Sequence, residues 1–215
     1  MDKLINNFID FHKKAAKLKS TTRHSWLADS RHESVAEHSW MLGLLAMLLF
    51  DKLDKKVDLL KVMKMVTVHD LAESITGDIP AHTPDIAKQV RDKYKHEEKA
   101  FEILVANLPK NKGTEIVSLW REFEERRTPE SRFAGSLDKL EAVMQHNLSD
   151  IAHWEQGDFN MQPYYKNNFF DFDSFMRVFK DMVDDQSMKK ILKAKAEHRI
   201  FPEHLEKYKK QKRKS

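Results

Sequence analysis

The sequence predicts an all-α protein. Long proline-free segments place apolar residues every three or four positions, which is the spacing of one helix face. Alternating apolar and polar residues never continue for more than a few positions, so no long half-buried strand is predicted. Paired Ser/Thr and Pro or Glu residues mark helix starts. The 215 residues are enough to bury a core without disulfides, so these observations favour a helical bundle.

The predicted helices follow one another along the whole chain. Their ranges are 3–18, 34–53, 58–73, 83–108, 114–126, 129–154 and, as one or two helices, 174–199. Residues 19–33 are polar and predicted to be irregular, and residues 156–173 are predicted to be a connector. The second helix is apolar nearly all round, which predicts a central, buried position.

Local signals fix several helix ends. Ser34 and Glu37 have the spacing of a capping box at the start of the second helix. Gly77 suits a C-terminal cap after the third helix. Thr83-Pro84 and Thr128-Pro129 each combine an N-cap residue with a proline in the first turn.

Composition excludes several classes of site. The chain has no cysteine, which rules out disulfides, thiolate zinc sites, iron–sulfur clusters and cysteine nucleophiles. Its 5 glycines lie at least 22 positions apart, so neither a dinucleotide-binding glycine fingerprint nor a Walker A loop is present. The longest apolar run, residues 40–50, is too short to span a bilayer. The charged N-terminal segment lacks a secretory signal, and we expect a cytoplasmic protein.

The positive charge is concentrated at the C-terminus. The net charge is +4, but residues 205–215 carry six basic residues and one acid, leaving −1 for the rest. A near-neutral body makes nucleic acid an improbable partner, and the tail is expected to be a solvated, frayed end. We divide the chain into residues 1–155, a C-terminal helical extension at 156–204, and this basic tail.

Two segments combine histidines with acids beside apolar runs. His38 lies in the first turn of the second helix, where a lone histidine is usually a hydrogen-bonded core or cap residue. His69 and Asp70 end the third predicted helix, and Glu73 follows one turn later. Anions gathered at a helix C-terminus repel one another unless a cation joins them. That cation is either a metal ion or a basic side chain such as Lys64 or an arginine.

A third segment contributes Asp138 from the long helix near residue 140. Its helical neighbours are small, namely Ala134, Gly135 and Ala142, so another helix can approach this carboxylate closely. The alternative is a salt bridge or a solvent-facing acid near Lys139 or Arg132. Two imidazoles and two carboxylates together suit Mn, Fe, Co, Ni or Zn better than Ca or Mg, and such a site fits metal-assisted hydrolysis.

The order His…His-Asp…Asp resembles that of the HD-domain metal-dependent phosphohydrolases. Four sequence contexts resemble their 5′-deoxynucleotidase branch, and together they span about residues 4–155: Glu33-Ser34-Val35-Ala36-Glu37-His38-Ser39, His69-Asp70-Leu71-Ala72-Glu73, Thr76-Gly77-Asp78-Ile79-Pro80 and Leu137-Asp138-Lys139-Leu140-Glu141-Ala142. The resemblance implies an HD-domain helical bundle with one divalent transition metal ion. Its ligands would be His38, His69, Asp70 and Asp138.

The resemblance also implies roles for residues around this metal. Glu73 would orient or deprotonate the attacking water, and Asp78 would face the sugar. Arg23 and Trp26 are the candidates for an arginine and a tryptophan that bind substrate. Their spacing departs from the adjacent Arg-Trp form, so Arg31 is an alternative contact for the phosphate.

These residues predict a phosphomonoesterase acting on nucleoside 5′-monophosphates, preferably deoxy forms. The first alternative is another HD chemistry, on cyclic nucleotides, alarmones or nucleoside triphosphates. The second is a helical binding module without turnover, which Glu73 argues against because a scaffold needs no water-positioning acid. The resemblance also favours a homodimer.

Overall fold

Helices dominate the fold, as the sequence predicts. A computed structural model describes residues 1–79 and 86–213. The helices are α1 Asp2–Ala15, α2 Val35–Leu49, α3 Leu59–Val68, α4 Glu73–Thr76, α5 Ile86–Val105, α6 Lys110–Glu125, α7 Pro129–Leu148, α8 Gln156–Met161, α9 Ser174–Lys193 and α10 Pro202–Lys212. The predicted cap at Thr83-Pro84 lies outside the described residues. None of the described helices is long and apolar enough to cross a membrane.

The segment predicted to be irregular contains a small antiparallel sheet. Strands β1 (Thr22–Trp26) and β2 (His32–Ser34) pair Thr22 with Ser34 and Trp26 with His32. The Gln145 side chain on α7 donates a hydrogen bond to the Trp26 carbonyl over 2.8 Å. The strands are too short and too polar to give a period-two signal, and this tertiary contact helps to fix the hairpin against the helices.

Helix α2 begins at the predicted capping box. The Glu37 N–H donates to Ser34 Oγ (3.2 Å), and the Ser34 N–H donates to Glu37 Oε2 (2.8 Å). Leu42 and Ala46 are buried, whereas Trp40 is 65% exposed. The helix is therefore central on one face only.

The third predicted helix ends earlier than expected. Helix α3 stops at Val68, so His69 and Asp70 lie in a turn, and Glu73 starts the separate short helix α4. Gly77 caps that helix with φ +75°, a conformation that a side chain would strain. The turn separates the HD pair from Glu73 while keeping all three at one end of the bundle.

Helix α7 is the centre of the bundle, where it packs against α2, α3, α6 and α9. It begins at Thr128 and Pro129 as predicted, and it ends at Leu148 rather than near Trp154. Its apolar residues pack with α2, α3 and α9 in one core, to which Leu42, Val66, Phe133, Leu137, Leu140 and Val183 belong. A second core around Phe101 and Trp120 holds α5 and α6 against the residues that follow α3.

The C-terminal region is packed rather than free. Helix α9 is one helix from Ser174 to Lys193, and buried Lys180 contacts Asp184 one turn along it. The expected frayed tail is helical to Lys212, with Leu205 and Tyr208 packed on a third core around Trp154. Most other tail side chains are exposed, in agreement with the expected solvation.

Candidate metal centre and its cavity

Three of the four predicted ligands converge at the end of the bundle. His38 on α2, His69 after α3 and Asp138 on α7 each offer a ligand atom, and these atoms lie within 4.8 Å of one another. His38 Nε2 lies 3.3 Å from Asp138 Oδ1. All three residues are buried. The packing of α2, α3 and α7 thus brings together residues that are 100 positions apart in the chain.

Asp70 lies beside this group. Its Oδ2 is 2.9 Å from His69 Nε2 and 3.6 Å from Arg23 Nη1. The second contact is the arginine alternative that the sequence left open, whereas Lys64 pairs with Glu115 on the surface. Asp70 therefore has both a candidate metal partner and a basic side chain within reach.

The tautomers of His38 and His69 leave the Nε2 atoms, which face Asp70 and Asp138, able to bind a metal ion. His69 Nδ1 lies 3.0 Å from the Val66 carbonyl oxygen, which can only accept, so Nδ1 carries the proton. His38 Nδ1 lies 2.6 Å from Glu141 Oε2, which fixes the same tautomer. The two Nε2 atoms are buried, make no hydrogen bond and face carboxylate oxygens. This pairing of unshared electron pairs fits a bound cation.

The charges around His38 favour a positive charge at this position. Burial and Arg23 oppose protonation of His38, but Glu141 and Asp138 outweigh them and raise its pKa to about 10. Although burial works in the opposite direction, Lys139, His38 and His69 hold the pKa of Asp138 well below its usual range. Lys139 Nζ lies 2.7 Å from Asp138 Oδ2, so the salt bridge that the sequence left open is present and supplies part of the positive charge that the ionised acids require. A proton or a metal ion can supply the rest.

A cavity of about 460 Å³ opens beside this centre. Its walls include Arg23, Asp70, Glu73, Asp78 and Asp138. Burial raises the pKa of Glu73 well above its usual range, Asp70 and Asp78 add to the shift, and Lys93 opposes it. Lys93 Nζ lies 3.8 Å from Glu73 Oε1. Glu73, a carboxyl group with a raised pKa, thus lies in the cavity wall next to the candidate ligands.

Two of the predicted substrate contacts lie elsewhere. Trp26 is outside the cavity lining and stacks on His153, with ring centroids 4.4 Å apart. Arg31 is half-exposed and pairs with Glu37, with Nη2 2.6 Å from Oε1. Of the two candidate arginines, Arg23 and Arg31, it is Arg23 that lines the cavity. Its Nε lies 3.2 Å from Glu33 Oε2.

The chain is similar to proteins of known family. A family model described as HD domain matches residues 15–176. The chain belongs to the HD-domain family. It is 34% identical to the 5′-deoxynucleotidase HDDC2 of Dictyostelium discoideum over 149 residues, covering 66% of this chain and 76% of that protein. It is 35% identical to the Xenopus laevis protein of the same name over 141 residues, covering 65% and 67%.

A solved structure supports the same family. The chain resembles a protein from Magnetospirillum magnetotacticum MS-1 described as a predicted metal-dependent phosphohydrolase. The TM-score is 0.73 at 28% sequence identity, and the alignment covers 87% of this chain and 94% of that one. The HD domain implies a divalent metal ion, and the buried cluster of His38, His69 and Asp138 has donors suited to one.

The HD-domain site contains two acids, Glu33 and Glu141, for which no role was predicted from the sequence. Glu141 accepts from His38 Nδ1 and is itself buried, which makes it the group that orients this imidazole. Glu33 lies nearby; burial and the charge of Glu141 raise its pKa to about 7, against Arg23 and His38. A signal for Glu141 existed, because it lies three residues after Asp138 and therefore shares its helix face.

The C-terminal region also reaches the cavity. Asp158 on α8 and Phe169 line it together with His24 and His146. Gly135 on α7 faces Phe169, and an added Cβ would lie 3.7 Å from Phe169 Cδ1. The face of α7 that carries Gly135 is therefore next to the C-terminal segment and not only to another helix of the bundle.

Proposed function

We propose that this chain is a metal-dependent phosphomonoesterase that converts nucleoside 5′-monophosphates, preferably deoxy forms, to nucleoside and phosphate. The observation that carries the proposal is the convergence of two unpaired imidazole nitrogens and Asp138 beside a nucleotide-sized cavity containing Glu73. The relatives named 5′-deoxynucleotidase support the substrate class.

The ion is a divalent transition metal, with Mn, Fe, Co, Ni and Zn as candidates, because the donors mix imidazole nitrogen with carboxylate oxygen. His38, His69, Asp70 and Asp138 would hold it. Such an ion supplies Lewis-acid polarisation of a phosphoryl oxygen and lowers the pKa of bound water.

Glu73 moves the proton in the hydrolysis. The water oxygen forms a bond to phosphorus, the bond from phosphorus to the ester oxygen breaks, and the water proton passes to the Glu73 carboxylate. Protonated Glu73 then supplies a proton to the leaving 5′ oxygen. The raised pKa of Glu73 makes its carboxylate a stronger base towards the water proton.

Arg23 binds the phosphate and Asp78 reads the sugar. Arg23 lines the cavity close to Asp70, so its guanidinium can neutralise a phosphate held at the same centre. Asp78 also lines the cavity and can accept a hydrogen bond from a sugar hydroxyl. An Asp78→Asn variant should change the ratio of rates on deoxy and ribo substrates. Trp26 stays a predicted substrate contact, although it lies outside the cavity lining.

A phosphate-release panel separates this activity from its alternatives. The panel contains deoxy- and ribonucleoside 5′-monophosphates, 3′-monophosphates, cyclic nucleotides, alarmones and triphosphates, each with Mn²⁺, Co²⁺, Mg²⁺ or a chelator. Release from 5′-monophosphates with metal, and loss of release with chelator, is the expected result. Preference for a cyclic nucleotide, alarmone or triphosphate would reassign the chemistry, and binding without release would favour a binding module.

Glu73→Gln tests the proton role because it preserves size and removes the base. Turnover should fall by roughly 10²–10⁴-fold while metal content stays near that of the wild type. Glu97→Gln is the matched control: Glu97 is as buried as Glu73 and contacts the same Lys93 over 3.3 Å, but it lies outside the cavity lining. Equal turnover in the two variants would exclude Glu73 as the acid–base group.

The exposed face of α2 supports the homodimer. Trp40, Leu44, Met47 and Leu48 follow one another at helical spacing on this face, and each is exposed. A contiguous apolar face of this kind marks interaction surfaces. Trp40→Glu should therefore convert a dimer to a monomer in sedimentation analysis, with the fold retained because Trp40 makes no core contact.

The division of the chain into residues 1–155, 156–204 and 205–215 remains part of this proposal. Limited proteolysis followed by mass spectrometry tests it, and cleavage should begin in the exposed C-terminal helix. A cytoplasmic location is likewise proposed, supported by the nucleotide substrate class, and subcellular fractionation tests it.

A further inference from the structure

A second cluster of two histidines and one carboxylate faces the same cavity. His24 lies on β1, His146 on the last turns of α7, and Asp158 on α8. Their ligand atoms lie within 4.8 Å of one another, and their side chains are only 16%, 9% and 5% exposed. The cluster shares no residue with the centre formed by His38, His69 and Asp138.

The protonation of His146 leaves an electron pair aimed at the acid. His146 Nδ1 lies 2.8 Å from the Ala142 carbonyl oxygen, which can only accept, so Nδ1 carries the proton. Ser25 Oγ makes a longer contact of 3.4 Å with the same nitrogen. His146 Nε2 then holds an unshared pair 3.3 Å from Asp158 Oδ1, and it is buried without a hydrogen bond. Two facing acceptors in a buried site are stabilised when a positive charge lies between them, either a proton on His146 Nε2 or a metal ion.

The spacing of the donors matches that of ligands around one ion. His24 Nε2 lies 3.1 and 3.0 Å from the two carboxylate oxygens of Asp158. Donors about 2.1 Å from a metal ion are about 3.0 Å apart at a right angle and about 3.4 Å apart at a tetrahedral angle. The observed distances of 3.0 to 3.3 Å lie within this range. The distances from each histidine to the Asp158 carboxylate are therefore those expected of donors that share one ion.

One carboxylate oxygen of Asp158, Oδ1, is in a position to bind such an ion. Its Oδ2 accepts from the Glu155 N–H over 2.8 Å and so caps α8. Its Oδ1 faces both imidazoles. Although burial favours the neutral acid, His146 and His24 hold the pKa of Asp158 below its usual range, so the carboxylate is ionised. The capping contact also fixes the orientation of the carboxylate, as a second contact does for metal-binding carboxylates.

We propose that His24, His146 and Asp158 form a second binding site for a divalent first-row transition metal ion. Two imidazoles and one carboxylate leave coordination positions open, and all three residues line the cavity. The site would take an oxygen or nitrogen donor of a small molecule bound there. Because it uses none of the residues of the first centre, this proposal stands independently of the phosphomonoesterase activity.

Cobalt binding by the full chain tests the second site. Protein freed of metal with a chelator is titrated with Co²⁺, and bound ion is measured by elemental analysis and visible absorption. His146→Gln and Asp158→Asn should each bind one Co²⁺ per chain fewer than the wild type. His12→Gln, which replaces an exposed histidine on α1, should bind as the wild type does. His69→Ala should lose the first centre and keep the cobalt spectrum of the second.

A second measurement keeps the test decisive if a variant is unstable. In wild-type protein with ¹⁵N-labelled histidine, Zn²⁺ should shift the Nε2 signals of both His24 and His146. Each signal is identified by its loss in His24→Gln or His146→Gln. The proposal would be overturned if all folded variants bound the same amount of cobalt, or if Zn²⁺ left both imidazole signals unchanged. Either result would indicate that His24 and Asp158 share a proton instead of binding a metal ion.

Discussion

Replacing Glu141 with glutamine isolates the contribution of the acid behind His38. The 2.6 Å contact between Glu141 Oε2 and His38 Nδ1 is buried on both sides. Glutamine preserves the shape and an accepting oxygen but removes the charge. A hydrogen bond to a charged group contributes about 1.5–3 kcal/mol and a neutral one about 0.5–1.5 kcal/mol. The difference of about 1–1.5 kcal/mol corresponds to a roughly tenfold loss of metal affinity.

Glu33 limits the size of this effect. Burial and the neighbouring charge of Glu141 raise the pKa of Glu33 to about 7. Loss of the Glu141 charge removes that repulsion, so Glu33 ionises more readily and restores part of the negative charge near His38. We therefore expect the lower end of the 10–100-fold range found for groups that support a metal ligand.

Titration calorimetry with Mn²⁺ on the full chain measures the loss. Glu37→Gln is the matched control, because Glu37 precedes His38 in the chain while its carboxylate contacts Arg31 on the surface. Glu37→Gln should leave the affinity unchanged. An affinity of the folded Glu141→Gln variant within twofold of the wild type would refute the supporting role. A loss above about 10³-fold would identify Glu141 as a direct ligand.

Three further changes probe acid stability, the tail and the metal centre. Arg31 and the Ser34 cap lower the pKa of Glu37 to about 2 from its usual 4.5, against burial, so its stabilisation is present above pH 4.5 and lost as the pH falls towards 2. Because Glu37 is partly exposed, Glu37→Gln should destabilise by only about 1 kcal/mol at pH 7 in urea unfolding, and by little at pH 2. Deletion of residues 206–215 should keep turnover within about threefold and lower the thermal midpoint, because Tyr208 packs on the C-terminal core. Asp138→Ala should lose both metal and activity, and full metal occupancy would refute its assignment.

The candidate ligands could be predicted from the sequence because each is a polar residue beside or within an otherwise apolar helical segment. His69 and Asp70 follow an apolar helix, and Asp138 interrupts a helix of small and apolar residues. Such polar groups need partners when the helix is buried. The type of partner could not be predicted, because Arg23 reaches Asp70 through a tertiary contact with β1.

The hairpin and the end of α3 could not be predicted from the sequence, because both depend on tertiary packing and not on a local sequence pattern. Helical periodicity continues through His69 to Glu73, but the structure replaces a continuous helix with a turn that presents His69 and Asp70 at the centre. His69 keeps a helical backbone and donates its N–H to the Met65 carbonyl oxygen, so the turn begins directly after the last helical hydrogen bond. Site geometry thus overrides helix propensity at this point.

The C-terminal region changes how substrate selection in this HD domain should be understood. The resemblance carried by the four sequence contexts ends near residue 155, but the HD-domain match extends to residue 176, and Asp158 and Phe169 in this last part line the cavity together with residues of the metal centre. His24 and His146 join Asp158 to β1 and α7, so the position of α8 depends on contacts inside the cavity. A substitution in this region can therefore alter which nucleotide fits without altering any ligand of the first metal ion. We therefore expect a substitution of Phe169, which lines the cavity and belongs to neither metal site, to change substrate preference while metal binding at the first centre is retained.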